Sequence, residues 1–481
     1  MVAKFPSLRE LRFGSLDAAE EAIYDPHLLK EGYFDYKDAA YGIGAGDVWF
    51  VLGIKGAGKS AVLEHLKLSW ADQWDRFIDV WNLQEFPVAN VSLMRTGETT
   101  NLARAQAAWQ LILLLRVLNM LDADQGLIAS SEFQDLVRQL KKERLVGDGL
   151  RGKVIEWSTA RFTVKFPFAE VGIDKKPAEL SVEDLLRRIQ NAIKNVQTDS
   201  QHVLALDGLD QFFFDADEEW SALAGLTYAI AALNKFFRTL RLRITIVAAI
   251  RSDIFDVLPA PDANKMKPHS VVLDWSEKGI GAGNQLWQLV TAKARVDHPE
   301  LPDIVKSYLA TPIYLGPHTA ISEYFLDHTR LLPRDLVALL GYLQQVKPGS
   351  GQVTEQAAKD TIRKYCDEYF QGEVFNSLAG VLPTGKARAL SSFRDAVRTV
   401  PTRCFSFADV QSELQGELEE SETKALLKQM FEVGGIGIRN ASGSAEHTDF
   451  VFRRASRAGF TMRYGFMLHN ALTRAWNRPW K

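Results

Sequence analysis

Cysteine is almost missing from this sequence. Two of 481 residues, Cys366 and Cys404, are cysteines, so neither a disulfide framework nor a cysteine-rich zinc site can be built. Long apolar runs are missing too. The greasiest stretch, Trp109 to Leu121, is interrupted by Arg116 and Asn119 and falls far short of the roughly 20 residues a membrane span needs. It reads as a buried helix. The opening residues, Met1-Val2-Ala3-Lys4-Phe5-Pro6, hold no apolar stretch of the signal-peptide kind, so a cytoplasmic chain with no membrane partner is expected. An excess of either charge is also lacking. Lys and Arg number 57 against 60 Asp and Glu, a net −3, which excludes a globally basic nucleic-acid coat but not a local basic face. His65, His202, His269, His298, His318 and His328 are isolated in sequence, so core or surface roles are expected rather than zinc ligation. What remains is a globular composition long enough for roughly three domains or subdomains.

One segment carries specific chemistry. Gly53-Ile54-Lys55-Gly56-Ala57-Gly58-Lys59-Ser60 fits G-x-x-x-x-G-K-[ST] at every fixed position. Before it, Val48-Trp49-Phe50-Val51-Leu52 is the continuous apolar run of a buried parallel strand. After it, Val62, Leu63 and Leu66 recur at helical spacing. Strand, glycine loop and helix together form the context in which such a loop binds phosphates. Glycines let backbone N–H groups turn toward phosphate oxygens, and the positive end of the following helix faces the anion. Lys59 is expected to bridge the β- and γ-phosphates, and Ser60 to hold Mg²⁺. The nucleotide contacts expected here are Gly53, Lys55, Gly56, Ala57, Gly58, Lys59, Ser60 and Ala61.

A second anchor is His202-Val203-Leu204-Ala205-Leu206-Asp207-Gly208-Leu209-Asp210, an apolar strand ending in an acid. Asp207 is the expected second Mg²⁺ residue, and Asp210 is the acid available to a hydrolytic water. A third strand, Ile244 to Ile250, ends in Arg251, which reads as either a γ-phosphate sensor or an ordinary surface arginine at a strand end. Val88–Leu93 and Val271–Trp275 are read as two more strands. The clearest intervening helix runs from Ser181 to Val196, with an apolar stripe through Leu185, Ile189 and Ile193 and Ser181 with Asp184 as its capping box. Strands alternating with helices imply an α/β fold with a parallel sheet covered on both faces.

The expected order is an ATPase core over 1–280, with an N-terminal extension and an insertion near 130–180. A helical lid follows over 281–350, then a winged-helix domain with a C-terminal helical tail over 351–481. In the insertion, Phe162, Val164, Phe166 and Phe168 alternate as in a half-exposed strand or hairpin. It reads as packing on the sheet or as a partner surface. In the lid, Pro333 starts a helix, and Arg330 and Arg334 are either nucleotide-facing or solvent-facing. Lys347-Pro348-Gly349-Ser350-Gly351-Gln352 is a linker by composition. Beyond it lies a helix over Glu420–Phe431. Two short strands, Ile436–Ile438 and Phe450–Phe452, follow around the polar tip Asn440–Ser444, and together these read as a winged helix-turn-helix. Glu420, Glu422 and Glu432 mix with Lys424 and Lys428 on that helix, so DNA binding, which needs clustered Lys and Arg, is not favoured.

The motifs Gly53–Ser60, Asp207-Gly208-Leu209-Asp210 and a strand ending in Arg251 resemble the STAND branch of P-loop ATPases, relatives of the AAA+ proteins. In layout the chain looks most like stand-alone bacterial ATPases, some of them encoded beside phage-defence genes. The resemblance implies ATP and Mg²⁺ as ligands, and Pro333 near adenine with Arg334 beside it. It further implies a homo-oligomer or an effector supplied in trans. Leu331 holds the place of the family's glycine in the G-x-P element, and Gln211 stands where the family has glutamate after D-G-h-D. An amide can orient water but cannot accept its proton, so slow turnover and switch-like use of ATP are expected. Lys265 and Lys267 are further trans-acting cation candidates, or plain surface charges. The competing expectation is a DNA-engaging ATPase of initiator or repair-loader type. A GTPase is disfavoured because neither Asn234-Lys235 nor Asn264-Lys265 continues into N-K-x-D.

Overall fold

A computed structural model of the chain describes all residues except 1–4, 95, 97–99, 147–149, 160–163, 167–177, 210–216, 259–262, 387, 415, 443–444, 454–458 and 480–481, and only the backbone at several residues flanking these. The protein is α/β and falls into two compact units. One comprises Lys37–Gly53 and Lys59–Val272; the other comprises Met1–Tyr36, Ile54–Gly58 and Leu273–Lys481.

The first unit is built on a parallel five-stranded sheet. Its strands are β1 (Phe50–Gly53), β2 (Arg76–Asn82), β3 (Gln201–Asp207), β4 (Ile244–Arg251) and β5 (Ser270–Val272), in the spatial order β2-β3-β4-β1-β5. Phe50 pairs with Ala248 and with Ser270, Gly53 with Arg251, and Leu206 with Ala248. The central strands are apolar throughout because both faces are covered. Phe50, Leu52, Leu204, Leu206, Ile246 and Ile250 enter one large core. Packed there are α3 (Asn101–Ala123), α4 (Val182–Lys194) and α5 (Asp217–Thr239). The alternate residues Val51, Val203, Ala205, Val247 and Ala249 are buried on the opposite face. There α1 (Lys59–Trp70) lies, contributing Val62, Leu63 and Leu66. The right-handed crossover rule requires this split. From β1 the chain moves in one direction to reach β2, and from β2 onward it steps back the other way.

Two local expectations change. Val88–Leu93 is a helix, α2, with Val88, Val91 and Ser92 buried at 3- and 4-residue spacing. The strand of this region is β2 instead, an edge strand that among the described residues pairs only with β3. Its Arg76 and Asp79 hid it from an apolar-run criterion. Asp79 bonds Arg116 of α3 at 2.6 Å, and the guanidinium lies over the Trp81 ring, which explains a charged residue in so apolar a helix. The expected helix from Ser181 forms as α4, with the Ser181 hydroxyl accepting from the Asp184 N–H at 3.1 Å. Of the alternating aromatic stretch, Val164–Phe166 pairs antiparallel with Ala178–Leu180, while Phe162 and Phe168 lie outside the described residues. Among the described residues no helix is long and apolar enough to cross a membrane.

In the second unit, α6 (Gln285–Arg295) and α7 (Pro333–Val346) are clasped by the N-terminal segment. Arg12 pairs with Asp25 and Asp297, both at 2.5 Å. Glu21 forms a buried ion pair with Lys293. Gln344 donates to the Leu8 and Leu11 carbonyls, each at 2.7 Å. The region read as purely helical also contains a hairpin, Pro312–Leu315 with His318–Ala320. Further on, helices Ala389–Thr399, Phe407–Glu413 and Glu420–Glu432 accompany an antiparallel sheet. Its strands run in the order Cys404–Phe405, Phe466–Leu468, Ile436–Ser442 and Ala445–Asp449. The strand expected at Phe450–Phe452 thus ends at Asp449, the partner of Ile438, and Val451–Arg453 is a single 3₁₀ turn.

Candidate phosphate-binding site

The Gly53–Ser60 loop leaves the carboxyl end of β1, the strand flanked by β4 and β5, and runs directly into α1. Gly56 and Gly58 have φ of +88° and +97°, values that cost an L-residue roughly 1–2 kcal/mol. Ala57 between them does not. Such alternation turns backbone N–H groups toward one concavity and suits an anion. Lys59 opens α1, is buried, and donates from Nζ to the Gly53 carbonyl at 3.2 Å. Ser60 and Ala61 follow, half-buried in the first helical turn, while the Lys55 side chain is exposed.

Asp207 closes β3, and its Oδ1 accepts the Gly208 N–H at 2.8 Å. Asn82 of β2 pairs with it in register. Gly208 has φ +80°, and a Cβ there would sit 2.1 Å from Asn82 Oδ1 and 3.0 Å from the Gln84 nitrogen. Close approach of β2 therefore demands the glycine after the acid. Asp210 and Gln211 lie outside the described residues. Arg251, the last residue of β4, pairs in register with Gly53. Its guanidinium grips Asp253 with Nε–Oδ1 at 3.1 Å and Nη2–Oδ2 at 2.6 Å. Gly53, Lys59, Ser60, Asp207 and Arg251 thus gather at the carboxyl edge of one parallel sheet, the edge where open α/β sheets bind ligands. Lys265 and Lys267 are exposed, in short turns before β5.

The middle of the loop, Ile54–Gly58, groups with the second unit. A Cβ on Gly56 would lie 3.4 Å from the Arg334 Cβ and 3.6 Å from Leu332; one on Gly58 would lie 3.9 Å from Pro333 Cγ. Pro333 starts α7, and Arg334 donates from Nε to the Leu16 carbonyl at 3.0 Å. Leu331, two residues before Pro333, adopts φ +53°, a left-handed conformation more usual for glycine. Arg330 faces neither solvent nor this loop. It is buried, bonded in a fork to Asp335 at 2.9 and 2.6 Å, and lies over the Phe370 ring. Burial opposes its charge, but Asp335 holds it protonated more firmly than a free guanidinium.

Two contributors escaped the sequence reading. Asn82 belongs to the strand that was not recognised. Trp275, following β5, donates from its indole N–H to the Ala57 carbonyl at 3.0 Å. A separation of 218 residues leaves no local signal of that contact.

No family model matches this sequence, and no curated protein matches it. Among solved structures, the crystal structure of Cdc6p from Pyrobaculum aerophilum aligns over 94% of this chain and 98% of its own, at 13% identity and a TM-score of 0.32. A likeness that distant carries no argument about the chain.

Proposed function

We propose that this chain is a slowly hydrolysing P-loop ATPase, AAA+-related and STAND-like, in which ATP switches conformation or oligomeric state for an effector supplied by another chain. The observation that carries the proposal is the Gly53–Ser60 loop between a central parallel strand and a helix, with two left-handed glycines and a buried Lys59. In this reading the loop's N–H groups and the start of α1 hold the phosphates. Lys59 shifts from the Gly53 carbonyl to the β- and γ-phosphate oxygens. Pro333 and Arg334 flank the nucleotide. Arg251 serves as a phosphate sensor once released from Asp253.

Ser60 and Asp207 supply a hydroxyl and a carboxylate, hard oxygen donors that suit Mg²⁺, and they are the residues that would hold it. The bound ion would neutralise phosphate charge. Asp210 is the proposed general base or water-orienting acid. Slow turnover follows from Gln211 at the family's glutamate position. A role in bacterial phage defence enters through the resemblance alone.

For the C-terminal part we keep the winged-helix reading. The succession of three helices, with a short strand after the first and a hairpin after the third, supports it. The strand Phe466–Leu468, inserted between the first strand and the hairpin, departs from the simple pattern. That same succession favours the second reading, a DNA-engaging ATPase, whereas the acids on Glu420–Glu432, Glu420 exposed and Glu422 and Glu432 half-buried, count against a phosphate-reading helix.

The test is ATP binding and hydrolysis by the purified chain beside Lys59→Ala and Asp207→Ala. Binding or turnover lost in the first, and Mg²⁺-dependent activity lost in the second, are expected. Full ATPase activity in either variant overturns the site. Turnover at tens per second, toward the upper part of the ordinary kcat range, overturns the switch. Mass measured with and without ATP, together with salt-dependent DNA binding, separates the two readings.

A further inference from the structure

We propose that Trp275 is a positioning residue for the phosphate-binding loop: its indole N–H, by holding the Ala57 carbonyl, aims the Gly58 N–H at phosphate. This rests on the reading of Gly53–Ser60 as a nucleotide loop. In a planar trans peptide, C=O and the following N–H point in opposite directions. The bond from Trp275 Nε1 to Ala57 O, 3.0 Å long, therefore fixes the Gly58 N–H pointing away from the indole. Nothing in Gly58 itself could do this. It has no side chain, and glycine backbone is the most permissive in the chain. Ala57 is fully buried, so its carbonyl needs a partner, and the partner chosen determines the plane.

Trp275 is itself held from several sides. It is buried and stacked on Tyr36 with ring centroids 3.9 Å apart and planes 14° from parallel. The Tyr36 hydroxyl donates to the Asp274 carbonyl. The buried Asn284 amide donates to the Trp275 carbonyl at 2.9 Å. The stack fixes the ring, and the two carbonyl bonds fix the backbone that carries it. Here they place one N–H donor against one loop carbonyl.

Trp275→Phe keeps the aromatic stack and deletes the donor. Calorimetric titration with ATP and with inorganic tripolyphosphate, which carries no base, reads the consequence. Both dissociation constants should rise by the same factor, about fivefold to tenfold, the worth of one hydrogen bond, while the cooperative thermal transition is retained. Unchanged affinities overturn the proposal. So does a loss confined to ATP, which would assign the ring to the base. Wild-type protein that binds neither ligand, and is indistinguishable from Lys59→Ala, refutes the nucleotide loop itself and with it this role. Should Trp275→Phe not fold, Tyr36→Phe removes the hydroxyl's hold on the Asp274 carbonyl. It should raise both constants together by about twofold to threefold; no rise there is equally fatal.

Discussion

Gly208 sits where two strands leave no room for a methyl group. Its left-handed φ and the Asn82 oxygen, 2.1 Å from where a Cβ would be, act together, so Gly208→Ala suffers both backbone strain and collision. The expected loss is about 2 kcal/mol or more, read as a lower urea midpoint. A change below about 0.5 kcal/mol would mean that Asn82 and the Gln84 backbone move aside freely. The residues of the loop and of Asp207-Gly208 were legible because their chemistry is local: spacing alone exposes them. The reason for Gly208, an asparagine on a neighbouring strand, was not. Leu331 makes the converse point. It adopts a left-handed conformation while its side chain is buried, so burial offsets a strain that nothing in the local sequence announces.

At the scale of elements, the start of α7 depends on a buried ion pair. Asp335 is fully buried and accepts the Arg330 backbone N–H at 2.9 Å as well as two guanidinium bonds. Asp335→Ala leaves the arginine with the longer Glu373 contact at 3.8 Å and should cost about 3–5 kcal/mol. Replacing both partners by apolar residues, Arg330→Met with Asp335→Leu, should cost less than the single change. Chemical denaturation of the three proteins checks the order, and a double variant weaker than the single would show that the pair does more than satisfy itself. Periodicity found the elements whose burial is one-sided or complete: α4, the apolar helix α3, and the strands β1, β3 and β4. It failed at β2, an edge strand whose Asp79 meets Arg116 and whose Arg76 lies over Trp70, and at Val88–Leu93, where a six-residue stretch of apolar residues broken by Asn90 and Ser92 fits either period. In the C-terminal sheet, the short strands Cys404–Phe405 and Phe466–Leu468 are defined by their pairing with distant chain and carry too little local pattern to be read.

For the whole molecule, acid sensitivity should differ between the two units. In the sheet unit, burial depresses His202 to about 4, against which nearby Asp124 pulls only partly. In the other unit burial likewise depresses His328 to about 4. A histidine depressed in the folded state binds its proton in the unfolded chain first, near pH 6.5. Stability is therefore complete above that pH and is lost as pH falls toward 4. By pH 5 each contributes a loss of about 2 kcal/mol relative to neutral pH. His318 has the opposite sign. Its two ring nitrogens face acceptors, Asp327 Oδ2 at 3.0 Å and the Leu315 carbonyl at 2.9 Å, and the Asp327 bond raises its pKa. Its stabilisation is full below about pH 6.5 and is lost as pH rises through the folded value, so acidification partly restores what His328 loses. The carboxylates held below their ordinary range, Asp297 by Arg12 and Glu422 by Lys386, titrate beneath this window. Calorimetric melts between pH 7.5 and pH 5 should show the sheet unit losing more than its partner. His202→Phe, which preserves the stack on Phe77, should remove most of the sheet unit's acid loss, while His328→Phe should leave that loss in place. Equal acid shifts in wild type and His202→Phe would show that His202 does not set the sheet unit's pH dependence.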